Sequence, residues 1–243
     1  MIHHERREAV ALVTIDRPER RNAVDRDALA ELEAVIATAV EDPTIRVFLL
    51  TGAGGHFCAG ADLTGLEDET FASTLRIVLQ GLHDAPFPTI AAVDGAALGA
   101  GTQLAIACDL RVATPGARFG IPAAKLGLMV DHWTVQHLAL LAGHGPARAM
   151  LLAADVLSGD EAVRLGLAQR TGDLDAALAW AADIAELAPL TIRGHKIALN
   201  RLEADLGTDP AVAEAFKRAW GSADLQEGLA AFHERRSPAF RGE

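Results

Sequence analysis

The hydrophobic positions of this chain change period several times in its first half. Residues 8–15 (EAVALVTI) are a short, apolar, β-branched run ending at Asp16-Arg17-Pro18, which predicts a strand. Over 27–40 the apolar side chains Leu29, Leu32, Val35, Ile36 and Ala39 recur at helical spacing, and the pattern stops before Pro43. Residues 45–51 (IRVFLLT) read as a buried strand closed by Gly52, Gly54 and Gly55. Residues 71–82 read as a second amphipathic helix ended by Pro86 and Pro88, and 89–93 as a third strand. Beyond about residue 120 helical patterns dominate. Ser158 and Glu161 have capping-box spacing, and 175–187 and 211–232 read as helices. This order predicts an α/β core over 1–189 followed by a helical region over 190–243.

Composition narrows the function classes. The 243 residues are 50% hydrophobic, enough to bury a full core. A formal net charge of −11 opposes nucleic acid and anionic membrane surfaces, so an anionic ligand needs a local basic cluster. Cys58 and Cys108 sit far apart in apolar contexts and read as buried free thiols of a reducing compartment. The stretch MIHHERREAV has no apolar h-region and no run reaches membrane-span length, so a cytoplasmic protein without membrane insertion is expected. His132 and His137 are five apart, off the spacing of a helical metal pair, and no clustered Cys/His motif occurs; no metal is expected.

Two glycine-bearing turns each follow a buried-type strand: HFCAGADL over 56–63 and GAALGAGTQL over 95–104. Singly, each is a strand exit that uses glycine for positive φ. A dinucleotide site does not fit, because Gly99 and Gly101 lack the third glycine and the distal acid. Together, with RPERRNA (17–23), AAVDGAALGAG (91–101), CDLRVA (108–113), Phe119-Gly120, KLGL (125–128) and AFHERRSPAF (231–240), they make the chain resemble the crotonase superfamily, the enoyl-CoA hydratase/isomerase group. The likeness spans nearly the whole chain. It extends to actinobacterial paralogs through Asp131-His132-Trp133, GHGPARAMLL (143–152) and AFKRAWGS (215–222).

The resemblance implies a ββα spiral core with a C-terminal helical trimerisation region, in a homotrimer or a dimer of trimers. It implies fatty acyl-CoA or enoyl-CoA as ligand, no cofactor beyond that coenzyme A thioester, and an oxyanion hole made by the amides of Ala61 and Ala100. Two convergent N–H donors suit a thioester carbonyl that becomes an enolate. Gly60, Gly99 and Gly101 would then keep Cβ atoms out of the path of the thioester, with Ala59 a substrate-binding residue beside them. Asp62 reads as a turn residue bonded to nearby backbone, and Cys58 as core.

The family's paired glutamates fall at Gln103 and Ala123, and neither is acidic. Around the second position GIPAAKLG (120–127) is otherwise intact. The site thus keeps its thioester cradle and lacks its usual proton shuttle. Asp131 has two readings: a displaced acid/base, with His132 beside it, or the N-cap of the next helix. Some relatives carry a nucleophilic Asp in this loop, but their accompanying aromatic positions do not match here. For the nucleotide end, Arg20 and Arg21, and Arg235 with Arg236, are either phosphate ligands or a solvated basic patch. Leu66, Phe71, Leu75, Met129 and Trp133 either line an acyl channel or are core. The function expected is an acyl-CoA-binding protein of fatty-acid metabolism without normal hydratase activity. The alternative is an enzyme that uses Asp131. A pure scaffold would have no use for the two glycine turns.

Overall fold

A computed structural model describes residues 1–62, 70–204 and 210–241. Its larger sheet orders the strands β1 (Ile2–Arg7), β2 (Val10–Ile15), β3 (Val47–Gly52), β4 (Thr89–Val93), β6 (Leu110–Ala113) and β9 (Arg170–Thr171). Strands β1 and β2 are an antiparallel hairpin with Ile2 opposite Ile15, and the other described pairings of this sheet are parallel. The hairpin is a correction to the single strand expected over 8–15. Glu8 sits in the turn at φ 55, and the residues of β1 after Ile2 are exposed and polar, so this charged edge strand shows no alternation.

Period two then divides the core. Val13, Ile15, Phe48, Leu50, Ala91 and Val93 point to one face. There they meet α1 (Arg26–Glu41), α2 (Thr70–Asp84) and α3 (Ala100–Ala107). Val10, Leu12, Val47, Leu49, Ile90 and Ala92 point to the other face, against α7 (Leu174–Ala185). Coverage on both faces is why these strands read as continuous apolar runs.

A smaller sheet of β5 (Ala96–Leu98), β7 (Arg118–Gly120) and β8 (Val156–Ser158) is extended by bridges Cys58↔Ala97 and Val24↔Ala61. Each turn of chain leaves a strand in the large sheet, adds one to the small sheet and closes with a helix: β4, β5, α3, then β6, β7 and the 3-10 turn Pro122–Leu126. This is the repeated ββα unit. The remaining helices are α4 (His132–Ala142), α5 (His144–Leu152), α6 (Gly159–Arg164), α8 (Pro189–Ala204), α9 (Pro210–Trp220) and α10 (Ala223–Glu234). Ser158 and Glu161 form the expected capping box on α6. The helix expected over 211–232 is instead two, because the chain turns at Gly221 and Ser222 caps α10 by accepting from the Leu225 amide. Among the described residues no helix is long and apolar enough to cross a membrane.

Two buried cations tie the elements together. Arg111 on β6 is fully buried; its guanidinium donates to the carbonyls of Leu167, Ala105 (3.1 Å), Cys108 (2.6 Å) and Asp109 (3.2 Å). Burial pushes its pKa down to about 10. Lys196 of α8 reaches Asp109 at 2.7 Å and the carbonyls of Leu82 and Phe87, which docks α8 against the end of α2.

Candidate functional site

A cavity of about 680 Å³ opens where the 59–62 turn, the start of α3, α2 and the 3-10 turn converge, with α9 and α10 along one side. That volume suits a drug-sized or acyl ligand. Of the residues singled out above, Arg20, Ala59, Gly60, Ala61, Asp62, Phe71, Leu75, Gly99, Ala100, Gln103, Ala123, Met129 and Asp131 line it. Leu66 lies outside the described residues. Arg21, Trp133, Arg235 and Arg236 are not on its wall.

The two expected amides sit on facing turns. Ala100 is the first residue of α3, so its N–H has no partner within the helix and lies at the positive end of the helix dipole. On the other turn Val24 N–H donates to the Gly60 carbonyl (2.9 Å) and Asp62 N–H to the Val24 carbonyl (2.7 Å). Residues alternate direction along such a bridge, so the Ala61 N–H points away from Val24. Among the described residues no main-chain carbonyl accepts from either amide. The glycines around them divide by cause. Gly60 (φ 121) and Gly99 (φ 53) adopt backbone conformations that a side chain would strain. Gly101 does not border the cavity at all. A Cβ there would lie 2.0 Å from the Cys58 carbonyl, so its glycine serves packing of the two turns and not passage of a ligand.

At positions 103 and 123 the wall is neutral. Gln103 is buried on α3, and its Nε2 donates to Thr134 Oγ1 at 2.8 Å. Ala123 lies in the 3-10 turn. Among the described residues the carboxylates on the wall are Asp62 and Asp131, and each meets an arginine. Asp62 pairs with Arg17 at 3.3 Å, and Asp131 with Arg76 at 3.3 Å. Asp131 also caps α4, accepting from the Thr134 amide at 3.0 Å and from its hydroxyl. The capping geometry and the cavity position therefore occur in the same residue. Cys58 is buried, and desolvation pushes its thiol up to about 12, which removes it as a nucleophile at neutral pH.

Trp133 faces the other way. Its ring stacks on His137 at 4.4 Å, the Arg76 guanidinium lies 4.8 Å above it, and it borders a separate cleft of about 470 Å³ between α2 and α8. Arg236 is engaged by Glu227 (2.5 and 2.8 Å) and Glu234 (2.6 Å), which folds the C-terminal segment onto α10. Those bonds, with the Ala239 amide, hold the Glu227 carboxyl down at about 2. Arg235 is the exposed left-handed cap of α10. The Arg21 carbonyl accepts from the Ala59 amide, so Arg21 supports the turn through its backbone. Arg20 is the arginine of that pair which reaches the cavity.

Four supporting residues were given no role in the sequence reading: Arg17, Asn22, Arg76 and Thr134. Asn22 had a local signal, a polar residue in a turn motif. It is fully buried at φ 60, accepts from the Arg17 amide and donates to the carbonyls of Ala53 (2.8 Å) and His56 (2.6 Å). It thereby fixes the turn that leads into Ala59–Asp62. Replacing it with Ala leaves three buried polar groups unpaired, and urea denaturation is expected to show a loss of about 2–4 kcal/mol.

Comparison with known proteins gives a consistent picture. The family model described as enoyl-CoA hydratase/isomerase matches residues 5–243. The chain is 46% identical to the "Probable enoyl-CoA hydratase echA6" of Mycobacterium tuberculosis over 97% of each chain. It is 33% identical to the crotonyl-CoA hydratase of Syntrophomonas wolfei, over 97% of this chain and 96% of that one. The crystal structure of an enoyl-CoA hydratase from Mycobacterium avium subsp. paratuberculosis superposes with a TM-score of 0.89 at 27% identity, covering 99% and 98% of the two chains.

Proposed function

The chain belongs to the enoyl-CoA hydratase/isomerase family and has the crotonase fold, and from that premise we propose that it binds fatty acyl-CoA and enoyl-CoA thioesters in the 680 Å³ cavity without ordinary hydratase turnover. The thioester oxygen is held by the amides of Ala61 and Ala100, with the start of α3 adding its dipole. The acyl chain lies along Phe71, Leu75 and Met129, and the nucleotide end lies outward, beside Arg20.

Hydration requires a base to take a proton from the attacking water at C3 and an acid to deliver one at C2. A carboxamide at 103 forms hydrogen bonds but does not exchange protons at neutral pH, and a methyl group at 123 does neither. The observation that carries this reading is the wall itself: neutral at both acid positions, with its described carboxylates already bonded to arginines. Exposed Leu190, Leu199 and Leu202 on α8 support assembly through the C-terminal helices, as a trimer or a pair of trimers.

The test couples binding to turnover. A long-chain acyl-CoA at 100 times its dissociation constant stabilises the fold by about 2.7 kcal/mol, a rise in melting temperature of about 5–10 °C. Crotonyl-CoA hydration stays at the uncatalysed rate. A second reading, catalysis by Asp131, is favoured by the position of that carboxylate on the cavity wall. Asp131→Asn separates the two, since Asn also caps a helix. Turnover in the parent that disappears in this variant would establish the second reading. Background rates in both proteins reject it.

A further inference from the structure

The cleft between α2 and α8 inverts the charge of the protein around it. Across the whole chain 33 acidic residues outnumber 22 lysines and arginines. Among the described residues the wall of this cleft of about 470 Å³ holds four cations, Arg76, Arg193, Lys196 and Arg201, and one carboxylate, Asp84. Helical spacing brings them there. Arg193, Lys196 and Arg201 share one stripe of α8, at i, i+3 and i+8. That stripe is turned away from exposed Leu199 and Leu202, so the cleft and those leucines are different faces of the helix. A cleft lined by one sign of charge concentrates ions of the other.

The four cations are not equivalent. Lys196 is buried, and its three protons go to Asp109 and to the carbonyls of Leu82 and Phe87, so it supplies charge and no further hydrogen bond. Arg76 borders both this cleft and the main cavity, where its Nη1 meets Asp131 at 3.3 Å. Arg193 and Arg201 are exposed, and among the described residues neither meets a carboxylate or any other acceptor.

Trp133 narrows the kind of anion. His137 stacks on its ring at 4.4 Å and the Arg76 guanidinium lies 4.8 Å over it, and two groups that close to one centroid occupy opposite faces. Neither face is left for a nucleobase to stack on. Recognition falls to the guanidiniums. Carried on two helices, they approach one centre from separate directions, which suits the terminal oxygens of a phosphoryl group. A planar carboxylate is matched by a single arginine fork.

We propose that this cleft binds the phosphoryl group of a small phosphorylated metabolite, held by Arg193 and Arg201 of α8 and Arg76 of α2. The ligand competes with Asp131 for the Arg76 guanidinium. The site does not depend on thioester binding in the main cavity.

Calorimetric titration at low salt with glycerol 3-phosphate, and with glycerol as the neutral control, tests it. The parent is expected to bind one glycerol 3-phosphate per chain with a dissociation constant of about 1 mM or below, and glycerol not at all. Arg193→Gln and Arg201→Gln introduced together, both at exposed positions, are expected to weaken that binding at least about tenfold. Asp131→Asn, which releases Arg76, is expected to tighten it about threefold. Arg20→Gln, on the main cavity, is expected to leave it unchanged. No saturable binding by the parent, binding that survives the double substitution, or binding lost with Arg20 overturns the site. An unchanged affinity in Asp131→Asn overturns the part assigned to Arg76.

Discussion

Gln103→Glu and Ala123→Glu introduced together are expected to raise crotonyl-CoA hydration at least about 100-fold above the parent. The proposed cradle for the thioester needs no change, because its donors would be the main-chain amides of Ala61 and Ala100. On the proposed reading, what the substitutions add is a pair of groups that can take a proton from water and return one to carbon. Position 123 sits in a short turn on the cavity wall, and the cavity has room for the longer side chain. Position 103 is more constrained, because its present partner is Thr134 Oγ1. That hydroxyl can turn from Asp131 to donate to a new carboxylate, while Asp131 keeps the Thr134 amide and Arg76. Each single substitution should achieve far less than the pair, since groups that act as a unit are not additive. The check is loss of the enoyl thioester absorbance. A double variant that folds, binds and is no faster than the parent would mean that the neutral wall is not what limits turnover.

Arg111→Met is expected to lower stability by about 3–5 kcal/mol, read from denaturant unfolding. Replacing a buried ion pair with apolar residues is often harmless, because both charges leave together. Arg111 differs in the identity of its partners. Apart from Gln169 Oε1 at 3.4 Å, they are the main-chain carbonyls of Leu167, Ala105, Cys108 and Asp109, which no side-chain substitution removes. The Asp109 carboxylate is occupied elsewhere, by Lys196 and Thr89. Several buried acceptors would thus lose their donor at once, beside the strand that leads to β7 and the 3-10 turn. A loss below about 1 kcal/mol would show that water reaches those carbonyls.

Local pattern reported the central elements well. The strand expected over 89–93 is Thr89–Val93, and the helix expected over 27–40 is Arg26–Glu41. Both are long or apolar enough for periodicity to settle them. The charged hairpin strand Ile2–Arg7 lacks that signal, and the break at Gly221 interrupts a run whose apolar spacing looks continuous. The candidate site was legible where it is local to a turn: Ala59–Asp62, Gly99, Ala100, Gln103 and Ala123 all line one cavity.

What spacing could not reveal were side-chain partners distant in sequence. Gln103 and Thr134 are 31 residues apart, and Arg76 and Asp131 are 55 apart. Trp133 shows the same limit. Two residues after Asp131 on one helix start, it faces a different cleft, because a step of two along a helix turns the side chain to the other side.

Titrating crotonyl-CoA into the protein in a calorimeter tests the central claim most directly, because one trace reports both binding and reaction. The account predicts heats that saturate at one ligand per chain, return to baseline after each injection, and leave the enoyl thioester chemically unchanged. A sustained heat of reaction with 3-hydroxybutyryl-CoA recovered from the cell would contradict it.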